Sequence, residues 1–113
     1  MGQIILGVGD YGASNQIGEE VKTFALGSCV SVVLLDPKTR TVGMVHVALP
    51  ESVINKAKSI EKPGYFADTG IPALLSEMAK FGCNSKGIFA GVGFDSNIGN
   101  NIRSCTLFTR QLP

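Results

Sequence analysis

The chain has 113 residues, of which 44% are hydrophobic and 17% are charged, and its formal net charge is +1. These values fit one folded domain, here expected over 1–113, and exclude a disordered chain, which has low hydrophobicity and high net charge. The sequence has no basic run typical of nucleic-acid binding, no apolar run of the roughly 18 residues that span a membrane, and no signal-peptide pattern at its start, so the cytoplasm is the expected location.

The first half of the chain predicts strands separated by turns. β-Branched and other apolar residues dominate four segments, 3–8, 21–26, 29–35 and 41–49. The sequence Asp36-Pro37-Lys38-Thr39-Arg40 is typical of a turn, so the last two segments are predicted to pair as an antiparallel hairpin.

The second half predicts a helix followed by a strand. Residues 50–64 are expected to form a loop or short helix. Apolar residues then recur at helical spacing, namely Ile71, Leu74, Leu75, Met78 and Ala79. Asp68 or Thr69 is expected to cap this helix and Gly82 to end it, with another strand at 86–94. Strands before and after a helix favour a mixed α/β layered domain, a sandwich of β-sheet with packed helices.

The cysteines and the single histidine are the candidates for chemistry. The three cysteines are Cys29, Cys83 and Cys105, and the histidine is His46. An odd number of cysteines without a signal sequence argues against a disulfide framework, and the absence of a CxxC spacing argues against a structural zinc site. No metal site is therefore expected.

Cys29 and His46 are predicted to lie side by side across the hairpin. Cys29 is seven residues before Asp36, and His46 is six residues after Arg40. A thiol needs a nearby base to become the reactive thiolate, and His46 is the only histidine available. From the residues alone, the alternative stays open that Cys29 is a small buried hydrophobe and His46 a satisfied core residue.

Three segments carry a resemblance to a known family. They are TFALGSCV at 23–30, GMVHVALP at 43–50 and KPGYFADTGIP at 62–72. In order and spacing they resemble the CheD family of chemoreceptor glutamine deamidases. The resemblance implies that Cys29 is the nucleophile, that His46, seventeen residues later, is the base, and that Thr23, six residues before Cys29, completes a catalytic triad.

The resemblance also implies an activity and partners. The expected reaction is conversion of chemotaxis-receptor glutamines to glutamate by a cysteine amidohydrolase that needs no metal or organic cofactor. Receptors and a CheC-type phosphatase are the expected partners. Gly27 and Ser28 would line an oxyanion site. The residues Tyr65, Phe66 and Asp68 would form either a receptor-facing lip or core aromatics and a helix cap.

The likeness to the family fades after about Ser104, so the C-terminal part is shorter than the family pattern. This departure leaves a second hypothesis open. In that hypothesis the chain is a binding module without useful turnover, which docks on chemoreceptors or on the phosphatase.

Overall fold

The chain folds into two β-sheets with helices packed on one of them, as the computed structural model describes for residues 2–24, 29–93, 95–96 and 103–108. The strands in these residues are β1 (Gln3–Leu6), β2 (Tyr11–Ser14), β3 (Glu20–Thr23), β4 (Val30–Asp36), β5 (Thr41–Val47), β6 (Phe89–Gly93), β7 (Asp95–Ser96) and β8 (Arg103–Phe108). The helices are α1 (Lys56–Glu61), α2 (Ala67–Ala79) and single 3-10 turns at Ser52–Ile54, Pro63–Tyr65 and Ser85–Gly87. The predicted mixed α/β class is confirmed.

The strands form two four-stranded sheets. Sheet A has the order β1-β3-β8-β7, and sheet B has the order β2-β5-β4-β6. Strands β1 and β3 are parallel, and the other pairs are antiparallel. Leu6 and Val21 of sheet A share one buried cluster with Val42 and Met44 of sheet B, so the core between the sheets draws on both.

Strand β5 lies at the centre of the packing, and all seven of its residues are buried. Successive side chains of a strand point to opposite faces. Met44 therefore points towards sheet A, whereas Val45 and Val47 point towards α2, where they pack with Leu74 and Met78. The helix thus covers the outer face of sheet B, and the inner face is left for the contacts with sheet A.

The predicted hairpin is confirmed as β4 and β5, but the predicted register is wrong. Asp36 pairs with Thr41, and Ser31 pairs with His46. Cys29 precedes the first paired residue of β4 and lies two positions from the residue that faces His46. The two therefore lie diagonally and not directly opposite each other.

The difference arises because Asp36 is the last residue of β4 and not part of the turn. Its carboxylate accepts hydrogen bonds from the Lys38 amide at 3.1 Å and from Thr39 Oγ1 at 2.9 Å. These bonds close a turn that covers only 37–40. Counting Asp36 as a turn residue shifted the predicted pairing by one position, and matching seven residues before the turn with six after it shifted the pairing by one more.

Other boundaries differ for local reasons. Asp68 lies inside the first turn of α2. Its carboxylate accepts hydrogen bonds from the Ser52 amide and hydroxyl, each at 3.0 Å. Asp68 therefore links α2 to the preceding 3-10 turn and does not cap the start of α2 as predicted. Gly82 follows α2 with a φ of 87°, as expected for a residue that ends a helix.

Neither helix in the described part of the chain has the length and apolar character needed to cross a membrane.

Candidate active site

Thr23 and His46 meet between the two sheets. Thr23 ends β3 in sheet A, and His46 lies near the end of β5 in sheet B. The Thr23 Oγ1 and His46 Nδ1 atoms are 2.8 Å apart, and the two residues are 0% and 1% exposed. This hydrogen bond joins the sheets and fixes the imidazole ring in one orientation.

A second contact of Thr23 determines which nitrogen of His46 carries the proton. Thr23 Oγ1 is 2.7 Å from the carbonyl oxygen of Leu6, which can only accept a hydrogen bond. The single hydroxyl proton of Thr23 is therefore donated to Leu6. His46 Nδ1 must then be the donor towards Thr23 Oγ1, which leaves the lone pair of the neutral ring on Nε2.

His46 is held in the neutral form. Burial lowers the pKa of the imidazole below its usual 6.5, because the charged form loses its hydration, and the negative charge of Asp10 offsets part of this effect. The Nε2 atom is buried and has no hydrogen-bond partner among the described residues. His46 thus presents an unprotonated, unpaired nitrogen, which is the form of a general base.

The backbone of His46 is fixed by the loop between β1 and β2. The Gly9 amide donates to the His46 carbonyl at 2.8 Å, and the His46 amide donates to the Asp10 carbonyl at 3.0 Å. The Asp10 carboxylate accepts from Lys62 Nζ and from the Gly7 amide, each at 2.8 Å. The hydrogen bond from Lys62 is the main reason that the pKa of Asp10 lies below its usual 3.8.

The segment around Gly64 packs directly on this loop. A Cβ atom at Gly64 would lie 2.3 Å from the Gly9 carbonyl oxygen, so only glycine allows the approach. The next residue, Tyr65, accepts at its carbonyl from the amides of Ala48 and Leu49, at 2.9 and 3.1 Å. The segment therefore holds both the loop beside His46 and the chain that follows β5.

Cys29 lies on the same face of the sheet as His46. It immediately precedes β4, and residues two apart along a strand share a face, so Cys29 points to the same side as Ser31, the cross-strand partner of His46. Cys29 is half-buried, not in a disulfide, and packs beside the cluster that contains Met44. Diagonal neighbours of this kind are about 7–8 Å apart at the backbone, a separation within reach of an aromatic side chain such as that of His46. Among the described residues, no hydrogen bond to the thiol is present.

The other predicted site residues have different surroundings. Phe66 is 0% exposed, which favours a core aromatic over a substrate-facing lip. The half-buried Tyr65 packs edge-on against Phe66 and lies under the Lys58 ammonium at 5.2 Å. Asp68 is exposed and bonded to Ser52. Gly27 and Ser28, the predicted oxyanion residues, lie outside the described residues.

Sequence reasoning missed Asp10, Ser31 and Lys62. Ser31 had a signal, because it is a small polar residue in an otherwise apolar and β-branched run that begins at Cys29. Asp10 and Lys62 are 52 residues apart, and no local pattern indicates their ion pair.

A groove of about 230 Å³ opens where the ends of β4 and β5 meet the start of α2, on the face of sheet B opposite to His46. Its lining is almost entirely apolar and consists of Val30, Val47, Ala48, Leu49, Pro50 and Ala67. Val30 and Leu49 are 42% and 38% exposed, and Phe24, which follows Thr23, is 48% exposed. In the described part of the chain, no group of three His, Cys, Asp or Glu residues could hold a metal ion.

Comparison with known proteins finds matches to one family. The family model described as "CheD chemotactic sensory transduction" matches residues 48–93. The probable chemoreceptor glutamine deamidase CheD of Syntrophotalea carbinolica is 54% identical over 87 residues, which are 77% of this chain and 54% of the relative. CheD 1 of Syntrophus aciditrophicus, also named a probable chemoreceptor glutamine deamidase, is 38% identical over 98 residues, 87% of this chain and 61% of the relative.

A third relative, the chemoreceptor glutamine deamidase CheD of Thermotoga maritima, is 38% identical over 78 residues, which are 69% of this chain and 46% of the relative. The chain thus spans about half the length of the curated relatives that it matches. Over most of its own residues, the chain is thus similar to proteins of the CheD family.

Proposed function

We propose that this chain is a cytoplasmic protein-glutamine deamidase of bacterial chemotaxis, with glutamine side chains of chemoreceptors as its substrates. The observation that carries the proposal is the unpaired Nε2 atom of His46, which lies on the same face of the sheet as Cys29. The hydrogen bonds of Thr23 to Leu6 and His46 place the ring proton on Nδ1, so Nε2 keeps its lone pair. The names of the relatives support chemoreceptor glutamine as the substrate.

In the proposed first step, Cys29 attacks the side-chain amide carbon of a receptor glutamine. His46 Nε2 takes the thiol proton and returns a proton to the leaving nitrogen. The carbon–sulfur bond forms, the carbon–nitrogen bond breaks, and ammonia leaves a thioester on Cys29. Thr23 keeps the imidazole in the tautomer that this transfer needs. Backbone amides at Gly27 and Ser28 are the proposed donors to the oxyanion.

In the second step, water hydrolyses the thioester. His46 Nε2 takes one proton from the water as its oxygen bonds to the acyl carbon, the carbon–sulfur bond breaks, and the proton passes to the Cys29 thiolate. The receptor then carries glutamate in place of glutamine. No metal or organic cofactor takes part in either step.

Exposed apolar residues near the ends of β3, β4 and β5 support a protein substrate. Phe24, Val30 and Leu49 are partly exposed apolar residues, and Val30 and Leu49 belong to the apolar groove. Exposed apolar surface of this kind is typical of macromolecular contact. A receptor segment that packs on these side chains would lie at the end of β4 that follows Cys29.

The test is deamidation of a receptor cytoplasmic fragment, followed as a one-dalton mass gain at individual glutamines. The wild-type chain is expected to produce the gain, and Cys29→Ala is expected to abolish it. Cys83→Ala is the matched control, because Cys83 is also half-buried and not in a disulfide but packs on the α2 side of sheet B. Activity that survives in Cys29→Ala would remove Cys29 as the nucleophile, and loss of activity in both variants would show that the loss is not specific to Cys29.

A second candidate function is a docking module for receptors or for a CheC-type phosphatase. Strand β6 lies at the edge of sheet B, and its Phe89 and Val92 are 67% and 66% exposed. Exposed apolar residues on an edge strand favour a partner contact. Tight binding of the receptor fragment without any mass gain in the wild type would favour this function over the deamidase.

A further inference from the structure

Two buried polar atoms without hydrogen-bond partners lie next to each other between the sheets. In the described residues, the buried side-chain atoms without a partner are Ser31 Oγ and His46 Nε2, and their residues are 0% and 1% exposed. An unpaired buried polar atom destabilises the folded state, so such atoms are rare in folded proteins. Ser31 and His46 are direct cross-strand partners, so the two atoms share one location.

The type of strand pairing brings these two side chains close together. The amide and carbonyl of His46 both bond to the β1–β2 loop, at Asp10 and Gly9. In an antiparallel sheet these two groups point to the same side, so they cannot also bond to β4. Ser31 and His46 therefore form a non-hydrogen-bonded pair, the type in which the Cα atoms are about 4.5 Å apart and the side chains are closest.

The two atoms have complementary hydrogen-bonding capacities. His46 Nε2 offers a lone pair, because Nδ1 carries the ring proton, and Ser31 Oγ offers one donor and two acceptor sites. They do not bond to each other. One water molecule could donate to Nε2 and accept from Oγ, which would satisfy both, and buried waters are typically found where two to four polar groups converge. Cys29, two residues before Ser31 on the same face, would be the third neighbour of this water.

We propose that Ser31 is the water-positioning residue of the second chemical step, an inference that rests on the deamidase function proposed above. Ser31 Oγ holds the water that replaces ammonia after Cys29 has been acylated, and His46 Nε2 removes a proton from it. The water oxygen bonds to the thioester carbon, the carbon–sulfur bond breaks, and the sulfur of Cys29 recovers the proton through His46. Ser31 is not required for formation of the thioester.

The variant Ser31→Ala is expected to affect the two chemical steps differently. Formation of the thioester is expected to proceed at the wild-type rate, and its hydrolysis is expected to slow by about tenfold to a hundredfold, the usual effect of a misplaced reactant. The readouts are a burst of ammonia equal to the enzyme concentration and accumulation of a covalent adduct with the receptor fragment in intact-mass spectra. Hydroxylamine, which attacks thioesters without a base, is expected to restore turnover and to yield a receptor hydroxamate.

Thermal unfolding distinguishes this role from a structural one. Ser31 Oγ has no protein partner, so Ser31→Ala is expected to leave the melting temperature unchanged or raised. Ser76→Ala is the matched control, because Ser76 is an exposed serine on α2, and it is expected to show neither burst nor adduct.

Unchanged turnover in Ser31→Ala, or slow turnover without burst and adduct, would overturn the inference while leaving the deamidase function in place. A wild-type chain that releases no ammonia from the receptor fragment would overturn the deamidase function itself, and the inference with it.

Discussion

The two faces of β5 differ in the side chains that they bury. On the face towards α2, Val45 and Val47 pack with Leu74 and Met78 in an apolar cluster. On the face towards sheet A, the strand carries His46, and both unpaired buried polar atoms of the described residues lie there. The outer face of the strand thus packs in an apolar core, whereas the inner face adds unpaired polar groups to the apolar cluster of Val42 and Met44. This difference is expected if the proposed site lies on the inner face.

Among changes to β5 itself, the largest effect on the inner face is expected from His46→Asn. Loss of a general base typically lowers the rate by about 10²–10⁴-fold, and we expect deamidation of the receptor fragment to fall by this amount. The shorter amide can still donate to Thr23 Oγ1, so the contact between the sheets is retained. Ammonia release measures the rate, and thermal unfolding verifies the fold. A variant that keeps more than half of the wild-type rate would show that His46 is not the base.

Leu74→Ala is the matching change on the outer face. Leu74 is 0% exposed, and removal of a buried leucine side chain typically costs about 2–5 kcal/mol of unfolding free energy. The rate per folded molecule is expected to remain at the wild-type value, because the site lies on the other side of sheet B. Urea unfolding and ammonia release measure the two quantities.

The control for Leu74→Ala is Ile60→Ala, whose side chain on α1 is 83% exposed and whose loss should change the unfolding free energy by less than about 0.5 kcal/mol. A fall in the rate per folded Leu74→Ala molecule comparable to that of His46→Asn would contradict the separation of the two faces.

Thr23→Val tests the link between the sheets. The change keeps the shape but removes the acceptor for His46 Nδ1, so the ring is free to move its proton to Nε2. A lost buried hydrogen bond of about 1–3 kcal/mol corresponds to roughly a tenfold to hundredfold loss of rate. Because the chain has one histidine, a ¹⁵N spectrum of histidine-labelled protein reports its tautomer directly. Thr23→Ser, which keeps the hydroxyl, should retain the wild-type spectrum, and a wild-type ring protonated at Nε2 would contradict the assignment.

The fold was predictable where the pattern was local. The β-branched run of β4 and the helical spacing of α2 identify those elements without any knowledge of the rest of the chain. Strand β2 was missed because Tyr11-Gly12-Ala13-Ser14 has little strand propensity, and it is a strand because β5 pairs with it. No element is predicted from the sequence after residue 94, and β8, which lies there, pairs with β3, a contact between segments more than 80 residues apart.

The candidate site was predictable only in part for the same reason. The resemblance predicts Thr23, Cys29 and His46 together. The tautomer of His46 depends on the carbonyl oxygen of Leu6, and the position of a backbone atom cannot be read from the sequence. The pairing of Ser31 with His46 depends on whether Asp36 belongs to the strand or to the turn, a difference of one residue in the count. Long-range register and backbone acceptors therefore required the structure.

The smallest expected effect is the dependence of stability on pH, which reports the burial of His46. The pKa of His46 in the folded chain lies below 6.5, which is the value expected in the unfolded chain. At a pH between these two pKa values, the unfolded chain therefore binds more protons than the folded chain. The unfolding free energy should thus be constant above about pH 7.5 and fall as the pH drops below 6.5, by at most about 1.4 kcal/mol per pH unit. The carboxyl groups of Asp10 and Asp36 have pKa values below 3.8, so they change the unfolding free energy only at a lower pH than His46 does. Urea unfolding between about pH 5 and pH 8 measures the slope, and His46→Asn should abolish it. A slope that persists in His46→Asn would assign it to another group and would remove the evidence that the inner face holds a neutral base.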